Sequence, residues 1–159
     1  MRTEDLNRIL EAHTVWLQSN DSEGKRADLA GADLAGADLT GATLTAAYLF
    51  NADLRGANLA AADLRWANLG EADLRGADLR WANLSAASLR WADLRWADLI
   101  RTDLRGADLT GINLAEANLI EAKLAGADLT RADLTGAKFA DGWEIVRSAR
   151  TRKIEEAKS

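Results

Sequence analysis

From Leu29 to Leu134 a leucine stands at every fifth residue without a miss, and Phe139 occupies the next slot. Two places before each leucine comes a small residue, nearly always alanine, and one place before it usually Asp or Asn. Ala32-Asp33-Leu34, Ala52-Asp53-Leu54 and Ala127-Asp128-Leu129 show the unit. A helix turns about 100° per residue, so leucines five apart scatter round it instead of forming a stripe. In a strand, side chains alternate with period two, and an odd spacing sends successive leucines to opposite faces. Neither element can bury the ladder. What remains is a coil in which each pentad makes one short side and then turns. The small first residue and the third-position leucine then point inward, and successive coils stack at a strand-like spacing of about 4.8 Å.

The A-(D/N)-L-x-x unit over residues 27–141 resembles the pentapeptide-repeat family. That resemblance implies an all-β solenoid, a right-handed quadrilateral β-helix with four pentads per coil and about six coils, roughly 28 Å long at the spacing above. Each buried leucine should contribute about 1.5–3 kcal/mol. Residues 1–26 and 142–159 read as covers for the two ends, where a stack shows leucines to water and unpaired edges to other chains. Leu6, Ile9, Leu10, His13, Trp16 and Leu17 lie at helical spacing, with Thr3 as the N-cap, and predict a capping helix. Ser19 to Gly24 form a polar connection. Trp143, Ile145, Val146 and Ala149 predict a second, shorter helix that runs into a charged tail from Arg150 to Lys158.

There is no cysteine or proline, and no apolar run long enough to span a membrane. The opening MRTEDLNRIL lacks the apolar stretch of a signal peptide. A cytoplasmic, non-membrane protein is expected. The net charge of −5 is uneven: residues 27–54 carry four Asp and no basic residue, whereas residues 55–105 carry eight Arg against seven acids.

With four pentads per coil, residues twenty apart stack. Asp53, Asp73 and Asp93 then form one column, with Arg55, Arg75 and Arg95 alongside, which predicts a ladder of exposed ion pairs worth about 0–1 kcal/mol each. The bland reading of this face is solvated surface; the sharper one is a binding face for a charged partner. Four tryptophans occupy fifth positions, each after an arginine: Arg65-Trp66, Arg80-Trp81, Arg90-Trp91 and Arg95-Trp96. Exposed Trp beside Arg is the composition of protein interfaces and of stacking platforms for single strands. In a four-fold register the four fall at four different corners and make a belt. A nucleic-acid groove wants a line, so nucleic acid is the weaker reading. Tyr48 and Phe50 flank Leu49, with Asn51 where Gly often stands; they mark a bulge, a recognition spot or drift in the repeat. Thr102 and Ile112 replace the inward alanine.

Catalysis is not expected. A side-chain-filled rod has no concave pocket, and regularly spaced carboxylates on a convex surface form neither an acid–base pair nor an enclosed metal site. His13, on the apolar helix face, reads as a packing residue. No cofactor or metal ligand set is found. The functional expectation is a non-catalytic scaffold for protein–protein interaction through the outer faces, with a monomer favoured over a homodimer. Some pentapeptide-repeat proteins mimic B-DNA and bind DNA gyrase or another type II topoisomerase, so the resemblance also implies that alternative. The chain is short for it, lacks insertion loops, has a charged tail, and carries eight arginines in its middle. Weak nucleic-acid binding through the Arg/Trp belt and a passive structural role complete the set.

Overall fold

The structure, a computed structural model, describes residues 1–140 and the strand backbones Trp143–Arg147 and Arg152–Glu156. Parallel one-residue bridges join positions twenty apart, from Asp28↔Tyr48 to Asn118↔Lys138. One coil is therefore four pentads, as the family resemblance implies. Between coils, the Leu29 N–H donates to the Tyr48 carbonyl at 2.7 Å, the Tyr48 N–H to Ala27 at 2.9 Å, and the Gly31 N–H to Phe50 at 2.9 Å. The pattern repeats up the stack, so little of the inner backbone is left unpaired. Leu44 through Leu99 are fully sealed from solvent, and the first-position alanines pack beside them.

Two features of the pentad explain its composition. The second-position carboxylate or amide accepts the N–H two residues on, as Asp28 does from Ala30 and Asn58 from Ala60 at 3.2 and 3.1 Å. Such a side-chain turn is what Asp and Asn offer and larger residues do not. The corner is then closed by the first-position N–H of the next pentad on the leucine carbonyl, Ala32 to Leu29 at 3.1 Å. The fifth residue lies in left-handed backbone at every corner from Gly31 to Gly136. That is why glycine is frequent there; Asn51 tolerates the conformation, whereas the four belt tryptophans, like Ala46, Glu71 and Arg101, adopt it at a conformational cost.

Helix α1 (Thr3–Gln18) covers the first coil, burying Leu6 and His13 and packing Ile9 and Leu10 against the core. Its cap position is Arg2, not Thr3, and no side chain caps it; the Arg2 guanidinium instead pairs with Asp5 at 2.7 Å. The chain leaves α1 through left-handed Asn20, Asp21 and Gly24. A Cβ on Gly24 would strike the Ala12 carbonyl oxygen, so only glycine lets the connection lie this close to the helix.

At the other end the expected helix is not formed. Residues Trp143–Arg147 (β1) and Arg152–Glu156 (β2) pair as antiparallel strands with Ile145 opposite Ile154. Trp, Ile and Val favour strand over helix because they crowd the preceding helical turn. With apolar residues too few for two helical turns, that local preference decides. Asp141, Ala149 and the tail residues Arg150 and Lys158 lie outside the described residues.

Candidate functional site

The inward residues are spent on the core, which leaves the four outer faces. On the Asp53 face each arginine binds its own pentad's carboxylate: Arg55 to Asp53 at 2.5 Å, Arg75 to Asp73 at 2.6 Å and Arg95 to Asp93 at 2.7 Å. Arg55 and Arg75 also lie 3.8 Å from Asp73 and Asp93 of the next coil. The expected ladder is thus formed, within rungs and between them. The Arg55 guanidinium holds the Asp53 carboxyl below its ordinary value, and Arg75 does the same to Asp73. A second ladder runs from Arg80 to Asp78 at 2.5 Å and Asp98 at 3.9 Å, while Arg90, with Ser88 in place of an acid, reaches Asp108 at 3.0 Å. The carboxylates along the Arg-rich middle are therefore largely neutralised by their own neighbours.

The belt tryptophans Trp66, Trp81, Trp91 and Trp96 are 59%, 58%, 50% and 59% exposed, at four different corners. Arginine holds three of them. Arg65 lies 5.4 Å from the Trp66 ring centre, Arg95 5.3 Å from Trp96, and Arg101 4.5 Å from Trp81. The partner of Trp81 is thus Arg101, twenty residues on, and not the adjacent Arg80. Trp91 instead lies across the left-handed Gly111 of the next coil. Each ring is positioned by a neighbour yet keeps much of its surface in water.

Sequence reasoning read Tyr48 and Phe50 apart from this belt, but the twenty-residue register puts them on the face between the Trp66 and Trp91 corners. Both are 42% exposed. Arg26 stacks 3.7 Å over the Tyr48 ring and donates to its hydroxyl at 2.7 Å. The Phe50 ring rests on Gly70, where a Cβ would lie only 3.3 Å from it. The signal was present in the sequence as a column: Tyr48, Asn68 and Ser88 are successive second positions without charge.

Thr102 is buried with its hydroxyl donated to the Leu79 carbonyl at 2.7 Å, so its polarity is satisfied inside. Ile112 is accommodated, also buried. His13 is sealed between α1 and the first coil: its Nδ1 accepts the Ala27 N–H at 3.1 Å, its ring stacks on Trp16, and Nε2 has no hydrogen-bond partner. Burial pushes its imidazole below the ordinary value, with the Thr45 backbone opposing. Among the described residues no cluster of His, Cys, Asp or Glu could hold a metal ion, and no helix is long and apolar enough to cross a membrane.

A family model described as pentapeptide repeats matches residues 25–60, 62–99 and 97–136. No curated protein matches the chain. Among solved structures, a pentapeptide repeat protein from the cyanobacterium Cyanothece is 40% identical over 64% of this chain and 63% of its own, with a TM-score of 0.47. The chain thus spans 63% of that relative's length. A pentapeptide repeat protein from the cyanobacterium Nostoc, involved in heterocyst differentiation regulation, is 38% identical over 74% of this chain and 68% of its own, with a TM-score of 0.29. A plasmid-mediated fluoroquinolone resistance protein is 18% identical over 72% and 80%, with a TM-score of 0.40. Those superpositions are partial, and the family match rests on the repeat model.

Proposed function

Because the chain belongs to the pentapeptide-repeat family, we propose that it is a non-catalytic rod, coiled as the family's right-handed quadrilateral β-helix, whose outer faces bind another protein. The observation that carries this is the belt. Four tryptophans stand half exposed on left-handed corners, where a non-glycine residue costs about 1–2 kcal/mol. Exposed aromatic surface returns little of that cost to the folded chain, whereas Trp and Arg dominate the binding energy of protein interfaces. The residues we assign to the interface are those of the belt, Arg65, Trp66, Arg80, Trp81, Arg90, Trp91, Arg95 and Trp96, with the ion ladder as a neutral, structured flank.

A pull-down from the source cell tests it, comparing the wild type with a variant in which all four belt tryptophans are alanine. A partner held by the wild type and lost from the variant is expected. Equal recovery by both would remove the belt as the interface. The DNA-mimic reading is disfavoured by the ladder, since a duplex mimic must present unpaired negative charge along its length. We accordingly expect no inhibition of supercoiling by purified gyrase. Binding to nucleic acid would weaken steeply with salt, and no gel shift is expected even at low salt.

A further inference from the structure

The Tyr48 face differs from its neighbours in chemistry. Its second and fourth positions in the three central coils are Tyr48 and Phe50, Asn68 and Gly70, and Ser88 and Arg90, so its middle is almost free of charge. Trp66 and Trp91 stand at its two edges. The rings are held in place: Phe50 against Gly70, Trp91 against Gly111, Tyr48 beneath Arg26. Towards the N-terminus the same face runs, through Arg26 and Asp28, into an open cleft of about 240 Å³ between α1 and the first coil. Arg8, Lys25 and Arg26 line that cleft with Ile9 and Ala12, against the single carboxylate of Asp28. Among the described residues, Arg8 and Lys25 make no ion pair. This concentration of positive charge lies at the end of the rod whose coils are otherwise the most acidic, with four Asp and no basic residue in 27–54.

We propose that this face binds a single segment of a partner protein that is acidic at one end and apolar at the other. Its carboxylates enter the cleft at Arg8, Lys25 and Arg26, and its apolar side chains lie over Tyr48, Phe50 and Trp66. The charge of the cleft calls for an acidic group, and the uncharged aromatic platform calls for an apolar one. Tyr48 and Trp66 sit one and two coils above Arg26, about 5 and 10 Å along the rod. Three or four extended residues span that distance. An apolar centre with a charged margin is also the anatomy of protein interfaces. The proposal rests on the protein-binding reading above and assigns it a face and a chemistry.

A displayed library of short random peptides, selected on the full chain, tests it. Recovered peptides should pair a run of Asp or Glu with a run of apolar residues. Arg8→Glu with Lys25→Glu should weaken such a peptide by about tenfold or more, as should Tyr48→Ala with Phe50→Ala. Added salt should weaken it in the wild type and have little effect in the charge-reversed variant. Arg55→Ala with Arg75→Ala should leave it unchanged. Arg8, Lys25, Tyr48, Phe50 and Arg55 are exposed and Arg75 is half-buried, and an unchanged melting temperature confirms that each variant folds. Recovery of peptides without the acidic–apolar pattern overturns the proposal. So does binding lost only in the Arg55 and Arg75 variant, or displacement of the peptide by a labelled single-stranded oligonucleotide. A cellular partner lost on replacing Trp81 and Trp96 but indifferent to Tyr48 and Phe50 overturns this face alone and leaves the protein-binding reading standing.

Discussion

Trp66 illustrates how a residue's backbone and its side chain can be in conflict. Its φ of 56° is one that glycine adopts freely, and its ring is 59% exposed. Trp66→Gly should therefore stabilise the fold by up to about 1 kcal/mol in urea unfolding, even with the stack on Arg65 lost. Destabilisation instead would show that the ring serves the fold, and would remove the argument for an interface. Leu84 is the opposite case. It is fully buried in the middle of the stack, and Leu84→Ala should cost about 2–5 kcal/mol by the same measurement. At His13 the native imidazole resists protonation relative to the unfolded chain, so stability is complete above about pH 6.5 and is lost as pH falls below it. Amide exchange of α1 and of the Ala27 N–H, corrected for intrinsic rate, should accelerate over that fall. A flat profile would mean that Nε2 finds a partner on protonation.

Elements here are coils and their covers, and both are held by neighbours more than by themselves. The Asp53 ladder illustrates this, since Arg55 and Arg75 each face carboxylates of two coils. The Asp73 carboxyl is held low by Arg75, so the ladder's contribution is present above the ordinary carboxylate value of about 3.9 and is lost as pH falls through the lowered one. Arg75→Ala should move the Asp73 titration, followed by carboxyl NMR, back up towards that value, while changing stability by less than about 1 kcal/mol because the pair is partly solvated. An unmoved titration would show that the turn N–H of Arg75, and not its guanidinium, sets the carboxyl. Helix α1 seals the first coil with Leu6, Ile9 and Leu10. Removing residues 1–18 should lower the melting temperature and produce concentration-dependent association on gel filtration, since the uncovered coil offers leucines and unpaired backbone to a second chain.

At the scale of the whole molecule, stability adds up along the stack, because each coil touches only the coils beside it. Hydrogen exchange should consequently be slowest near Leu84 and faster towards Leu124, which is 9% exposed. Uniform protection would instead mean that the rod opens as one unit. The same architecture divides what could be read early from what could not. The five-residue period of leucines determined the coil, and with the four pentads per coil that the family resemblance implies it determined the columns of Asp53 and Arg55, because a strict period leaves every stacked neighbour a fixed number of residues away. It also determined that Trp66, Trp81, Trp91 and Trp96 stand at different corners. The ends escaped this logic. Trp143–Arg147 lies outside the repeat, where strand and helix compete on a few local preferences, and α1 begins after Arg2 with no side-chain cap to announce it. Only the tertiary structure decided which side chains lean on which: that Arg101 stacks on Trp81, that Phe50 lies on Gly70, and that Arg8 and Lys25 open beside Tyr48's face. A repeat specifies the position of each Cα closely, but an exposed side chain chooses among rotamers by the neighbours it meets, and those neighbours exist only once the coils are stacked.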